Sequence, residues 1–236
     1  MELGFIQDMF NHIAPRYDLL NRLLSLRRDV YWRREMAAAL AMPKTGRVLD
    51  VACGTGDVMI ELIHQAKAGD HVIGLDFAPE MLIVAQKKLA ARRRKTRTDL
   101  IAGNGLTLPF LPGTFDAMTI AFGIRNIMDR KSALREFYTH LKPGGQLAVL
   151  ELSTPKPHLF KFLYSLYFER ILPAIGGFFS SNRMAYQYLP ASVLRFPEPE
   201  AFAGLMRAAG FEDIRWRRLT LGLATLHIGF KPSVFK

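Results

Sequence analysis

Two hydrophobic periods alternate along this 236-residue chain. Leu19, Leu20, Leu23, Leu24 and Leu26 recur at helical spacing, so residues 5–41 read as helices, with Pro15 near a start or break. After the loop Pro43-Lys44-Thr45-Gly46, short apolar runs take over, and each is followed by a helical pattern. The strands are Val48 to Val51, His71 to Asp76, Leu100 to Asn104, Phe115 to Phe122 and Gln146 to Glu151. The helices between them span 57–68, 80–94 and 132–141, the last stopped by Lys142-Pro143-Gly144-Gly145. Phe115 to Phe122 is almost continuously apolar, as expected of a strand buried on both faces of a parallel sheet. A helix from Pro199 to Ala209, closed by Gly210, precedes an antiparallel pair, 215–221 and 224–230, around Gly222.

The alternation predicts a doubly wound α/β sheet of mostly parallel strands with helices on both faces and an antiparallel last strand. The expected organisation is one domain over residues 1–236. It comprises an N-terminal helical cap (1–44), a ligand-binding core (45–151), an aromatic-rich insertion or lid (152–198) and a C-terminal helix with its strand pair (199–236).

The first strand runs into Asp50-Val51-Ala52-Cys53-Gly54-Thr55-Gly56-Asp57, and Asp76, followed by Phe77, stands at the tip of the second. Glycines there let the backbone close on a ligand where a Cβ would collide, and an acid at that tip accepts hydrogen bonds from ribose hydroxyls. No third glycine follows Gly56, and Asp57 at the helix entrance would repel a pyrophosphate. No Gly-Lys-Ser/Thr follows either, so a Walker loop is excluded. The acid is compatible with a ligand that carries a sulfonium and an ammonium. Asp50, Gly54, Gly56 and Asp76 thus resemble the cofactor motif of the S-adenosylmethionine-dependent methyltransferases of class I, whose sheet has seven strands. The alternative is an ordinary glycine turn after a buried strand.

Composition narrows the rest. Hydrophobic residues make up 50% of the chain, enough for a full core. No uncharged apolar run reaches the ~18 residues of a membrane span. Met1-Glu2-Leu3-Gly4 lacks the basic and apolar regions of a secretory signal, which points to the cytoplasm. The lone Cys53 forbids an internal disulfide, and nothing near it in sequence would activate it. The six histidines show no metal spacing, so no metal is expected. A net charge of +11 implies a polyanionic partner, nucleic acid or an anionic membrane surface, unless the basic clusters are simply solvated. These clusters are Arg27-Arg28, Arg33-Arg34, Lys87-Lys88, Arg92 to Lys95 and Arg215 to Arg218.

Three separated motifs carry a narrower resemblance: Ala14-Pro15-Arg16-Tyr17-Asp18-Leu19-Leu20-Asn21 with Leu24-Ser25, Phe122-Gly123-Ile124-Arg125-Asn126-Ile127, and Tyr186-Gln187-Tyr188-Leu189-Pro190-Ala191-Ser192 with Phe196-Pro197. In this order they resemble the signatures of the ubiquinone/menaquinone biosynthesis C-methyltransferases. The resemblance runs from about Phe10 to Lys231. It implies methylation of a ring carbon of a polyprenyl quinol: demethylmenaquinol, the methoxy-polyprenyl-benzoquinol precursor of ubiquinone, or both. It also implies cofactor contacts at Thr55, Asp76, Asn104, Gly105 and Ala121, with S-adenosylhomocysteine as the product. Gly105 stands where alanine is usual in the family, and Ala121 where serine is common. Tyr17, Asn21 and Tyr188 become candidate substrate or cap residues, with helix–sheet packing as the alternative for the first two.

A quinol carbon is a weak nucleophile until its hydroxyl loses a proton, and a phenol has a pKa near ~10. Arg125 and Asn126 follow the fourth strand at the edge where such sheets bind ligands, so Arg125 is the candidate stabiliser of the phenolate. Guanidinium is a poor base, and a water held by Arg125 and Asn126 is the expected proton acceptor. The aromatic stretch Leu159 to Phe179 is read as a lid over the isoprenoid tail, an interfacial segment on a membrane, or a core helix. The competing classes are an RNA- or DNA-directed methyltransferase and a non-catalytic binding module. The first lacks a proline and a stacking aromatic at 123–126, so no nucleic-acid partner is expected. Oligomeric state stays open, a homodimer included.

Overall fold

The computed structural model describes residues 3–41, 45–66, 69–92, 96–154 and 191–233. Most of the aromatic insertion, the stretch Leu159 to Phe179, and Tyr186 to Pro190 of the third signature, Tyr188 included, lie outside the described residues.

Seven strands form one sheet in the order β3-β2-β1-β4-β5-β7-β6. They are β1 (Arg47–Val51), β2 (His71–Asp76), β3 (Arg97–Ala102), β4 (Phe115–Ala121), β5 (Leu141–Leu152), β6 (Glu212–Leu219) and β7 (Ala224–Phe230). Neighbours from β3 to β5 pair in parallel, while β7 is antiparallel to both β5 and β6, as the alternation and the final hairpin predicted. Strand order reverses between β1 and β4, and the crevice beyond their C-terminal ends is where an open α/β sheet binds its ligand.

The principal helices among the described residues are α1 (Leu3–Ile13), α2 (Tyr17–Leu24), α3 (Arg28–Ala38), α4 (Asp57–Gln65), α5 (Pro79–Ala90), α6 (Arg130–His140) and α7 (Pro199–Ala208). Pro15 sits in a 3₁₀ turn, Ala14–Arg16, and breaks α1 from α2. Leu26 and Arg27, both at positive φ, break α2 from α3. Trp32, Met36, Met59 and Leu62 of α3 and α4 fill one face of the sheet with Val48, Ala117 and Leu150. Phe137, Leu134, Phe202 and Met206 of α6 and α7 fill the other with Leu49, Met118 and Val149. These opposite allegiances follow from the alternation of side chains along a strand.

The largest departure from the expected elements is β5. Lys142 to Gly145, which read as a helix stop, already belong to the strand. Their backbone is paired from far away: Gly144 N–H donates to Lys231 O at 2.9 Å and Lys231 N–H to Gly145 O at 2.8 Å. A partner that distant in sequence leaves no local signal. Similarly, α4 stops at Gln65 because Ala66 turns extended, and β6 begins at Glu212 through an irregular register against β7.

Candidate active site

The turn after β1 is held in a conformation that few side chains accept. Ala52 (φ 52°), Gly54 (φ 54°) and Gly56 (φ 79°) all lie in the left-handed region. A Cβ on Gly56 would stand 3.2 Å from Ala85 Cβ, so glycine there lets α5 approach the turn. Asp76 at the tip of β2 locks the arrangement: Oδ2 accepts from Gly54 N–H at 2.7 Å and Oδ1 from Ala78 N–H at 2.9 Å. Burial raises the Asp76 pKa, opposed by hydrogen bonds from the backbone of Ala78, Gly54 and Phe77. Burial also pushes the Cys53 thiol well above its ordinary range, reinforced by the negative charge of Asp76 and Asp50, which disfavours the thiolate.

Beyond the strand tips lies a cavity of about 940 Å³, counted with its open mouth. It collects eight of the residues expected at the site: Tyr17, Gly54, Asp76, Phe77, Asn104, Gly105, Ala121 and Asn126. The polar groups Asp76, Asn104, Asn126 and Tyr17 converge on a wall otherwise made of Val51, Leu75, Met81, Leu106, Phe122 and Ile127. Ile6 and Phe10 of α1 add an apolar roof that gave no signal in the sequence. Phe10 packs edge-on to Tyr17 and Phe77, with centroids 6.2 and 6.3 Å apart, and Gln7 Nε2 donates to Phe77 O.

Asn104 uses its side-chain carbonyl to accept from Leu106 N–H at 3.0 Å, which leaves its NH₂ as the donor toward a ligand. Gly105 is confined, since a Cβ there would lie 3.0 Å from Val51 Cγ1. Phe122 (φ 57°) caps β4 in the left-handed region, and a Cβ on Gly123 would come within 2.7 Å of Ala52 Cβ. Left-handed residues thus occur at the tips of both β1 and β4, next to the cavity, as is common at ligand sites.

Five expected residues are not on the cavity wall: Asp50, Thr55, Gly56, Asn21 and Arg125. Arg125, in a 3₁₀ turn (Ile124–Asn126), is buried, and Nη1 donates to Glu151 Oε1 at 2.7 Å and to Phe122 O at 2.5 Å. Its own N–H donates to Glu151 Oε2 at 3.2 Å. The guanidinium charge is thereby balanced by Glu151 and holds the β4 loop to the end of β5. Glu151, an acid closing the apolar run of β5, was the unread signal for this pair.

Asp57, read as an acid facing a cationic ligand, is occupied by the protein itself. It accepts from Arg22 Nη2 at 2.7 Å and from Lys88 Nζ at 2.6 Å, with Arg33 Nη1 at 3.6 Å. Burial pushes its carboxyl up, but Arg33, Lys88 and Arg22 together outweigh burial and hold it at about 2. Lys88 also donates to Asp18 Oδ2 at 2.6 Å, and Thr55 Oγ1 donates to Asp18 Oδ1 at 2.5 Å. Asp29 accepts from Arg22, from Arg33 and from Ser25 Oγ. The network joins α2, α3 and α5 to the glycine turn, and it engages the Thr55 hydroxyl, so at Thr55 only backbone groups face other duties. Partners up to 70 residues apart made it invisible in the sequence.

Asp50 points to the same face as α3. It is 1% exposed; Oδ1 accepts from Thr119 Oγ1 at 2.7 Å, and Oδ2 has no partner among the described residues. Burial raises it to about 7, against the Thr119 hydrogen bond and the attraction of Arg33. Among the described residues no cluster of three or more His, Cys, Asp or Glu is arranged to hold a metal.

A model described as the ubiE/COQ5 methyltransferase family matches residues 2–231. Over 225 residues the chain is 50% identical to a demethylmenaquinone methyltransferase of Thermus thermophilus, covering 95% of this chain and all (100%) of that one. Over 226 residues it is 49% identical to a ubiquinone/menaquinone biosynthesis C-methyltransferase of Geobacter sp., covering 96% of each. The solved structure of an S-adenosylmethionine-dependent methyltransferase of Thermotoga maritima shares the fold, with a TM-score of 0.66 at 21% identity over 95% of this chain and 98% of that one. With the family matched over nearly its whole length on a class I methyltransferase sheet, the chain belongs to the ubiE/COQ5 methyltransferase family and is an S-adenosylmethionine-dependent C-methyltransferase.

Proposed function

We propose that this protein methylates a ring carbon of a polyprenyl quinol, with demethylmenaquinol as substrate and the methoxy-polyprenyl-benzoquinol as the second reading. The observation that carries it is the near-half identity to relatives named for that chemistry, matched end to end. The cavity supports the reading, because it joins a polar region at Asp76 and Asn104 to an apolar region at Ile6, Phe10, Ile127 and Met128.

The residues suit S-adenosylmethionine, which when bound supplies an electrophilic methyl group on a sulfonium. Gly54 lines the cavity with the space of a side chain left open, a Cβ there having only Tyr17 Cε1 within reach, at 4.0 Å. In this reading Asp76 accepts from ribose hydroxyls and Asn104 donates to an adenine edge. Alignment of the two reactants under the Phe10–Tyr17 roof is the main catalytic contribution.

The quinol hydroxyl loses its proton, the ring carbon takes the methyl as the C–S bond of the sulfonium breaks, and that carbon then gives up its hydrogen as a proton while the oxygen regains one, so that one proton is released overall with S-adenosylhomocysteine. In this reading a water held at Asn126 takes the hydroxyl proton and passes it to solvent. Arg125, tied to Glu151, positions Asn126 by holding the loop after β4 to the end of β5. We place the enzyme in the cytoplasm, peripheral to an anionic membrane that holds its substrate. No helix of the described residues is long and apolar enough to cross a membrane.

The test is methylation by purified protein of chemically reduced demethylmenaquinone and, separately, of the demethyl benzoquinol, read by mass spectrometry as a gain of one methyl group. Methylation of the naphthoquinol carries the proposal, and of the benzoquinol alone the second reading. If neither ring is methylated while S-adenosylmethionine binds, the quinol assignment fails.

A further inference from the structure

Helix α2 keeps Leu20 in the core and presents a second apolar face to the outside. Its charged side chains face inward: Asp18 meets Thr55 and Lys88, and Arg22 meets Asp29 and Asp57. Two of its four leucines face outward, Leu19 at 60% exposure and Leu23 at 42%, while Leu20 packs in the core. They lie four residues apart, on one helical face. Leu26 extends the stripe from the following turn at 81% exposure, held out by its own positive φ and that of Arg27. Isolated exposed leucines are ordinary, but three along one side of a helix and its following turn form a continuous ridge, while the charges of that helix are tied to the protein. Exposed arginines bracket the stripe, Arg16 at one end and Arg27 and Arg28 at the other. Among the described residues neither Arg27 nor Arg28 has an ion-pair partner.

An apolar ridge with a cationic rim has the composition of an interfacial membrane contact, in which leucines enter the headgroup–acyl boundary and arginines meet anionic headgroups. We propose that α2 and the turn after it are the surface by which this enzyme docks on an anionic lipid bilayer. The same helix supplies Tyr17 to the cavity, two residues before Leu19, so docking would set the cavity beside the membrane that holds a polyprenyl quinol. The assignment rests on the quinol reading for its purpose, but not for its physical basis.

The test is co-flotation of the full chain with phosphatidylglycerol-containing vesicles and with pure phosphatidylcholine vesicles, without cofactor or quinol. We expect salt-sensitive binding to the anionic vesicles only. Leu19→Ser/Leu26→Ser should lower that partitioning by about tenfold or more, and Arg27→Gln/Arg28→Gln should remove its salt sensitivity. Both variants should keep their turnover on a short-tailed, water-soluble quinol. Undiminished flotation of the leucine variant overturns the proposal. So does a wild-type dimer that the leucine variant dissociates, which would assign the stripe to a second copy of the chain. Failure of quinol methylation with intact flotation would instead reject the substrate and leave the docking surface standing.

Discussion

Arg125 Nη1 lies 2.7 Å from Glu151 Oε1, and the two side chains are 7% and 1% exposed. Removing one partner leaves a buried, uncompensated charge, at a cost of about 3–5 kcal/mol. Glu151→Ala should therefore destabilise the protein by that amount in urea unfolding. Glu151→Gln should lower kcat in parallel with Arg125→Ala, with little change in S-adenosylmethionine affinity. If Glu151→Gln leaves kcat intact while Arg125→Ala abolishes it, Arg125 acts on the substrate directly and not through the β4 loop.

The tie between Asp18, Thr55 and Lys88 predicts that cap closure and cofactor retention are coupled. Lys88→Met leaves Asp18 and Asp57 short of a cation, and should weaken S-adenosylmethionine binding about tenfold by calorimetry, equivalent to about 1.4 kcal/mol. Cofactor affinity unchanged in this variant would show that the network only supports the fold.

Asp76 closes the glycine turn through Gly54 and faces the cavity. Asp76→Asn should reduce cofactor affinity by about ten- to a hundredfold, in line with loss of charge-assisted hydrogen bonds worth about 1.5–3 kcal/mol. Circular dichroism should show the secondary structure retained. Wild-type affinity would remove Asp76 from the ribose contact.

Asp50 makes stability depend on pH. Its carboxyl is raised in the fold from 3.8 to about 7, so the folded state holds the proton more tightly than the unfolded one. The stabilisation is complete below pH ~4 and is lost as pH rises through about 7, on the order of 4 kcal/mol in total. Asp50→Asn mimics the protonated acid, so its advantage over wild type in urea should grow between acid and neutral pH. Identical pH slopes in the two proteins would mean that Asp50 is ionised throughout.

Gly123 packs against the turn after β1, with Ala52 Cβ 2.7 Å from the position of an added methyl. Gly123→Ala should cost about 1–3 kcal/mol and depress turnover by shifting Asn126. Its melting temperature and kcat should fall together, and wild-type values for both would show that the strand tips can separate freely.

The order of strands and helices was legible because each depends on local periods and on turn residues such as Gly54, Gly56 and Pro79. The motif residues Gly54, Asp76, Asn104 and Asn126 were also legible, since strand tips of a doubly wound sheet converge by topology, and the structure gathers them on one wall. The sequence by itself thus determined the sheet, the place of the crevice and the family resemblance. Only the tertiary structure decided which charges face the crevice and which face each other. Asp57 and Arg125 look alike as ligand-facing charges in a string of residues, yet Lys88 and Glu151, 31 and 26 positions away, claim them. A buried charge takes whatever partner the packing brings within a few ångströms, and that distance is set by the assembled layers, not by spacing along the chain. The outward position of Leu19 and Leu23 follows from the same fact: Asp18 and Arg22 are drawn inward by their partners, beside Leu20, and these two leucines are left to the outside.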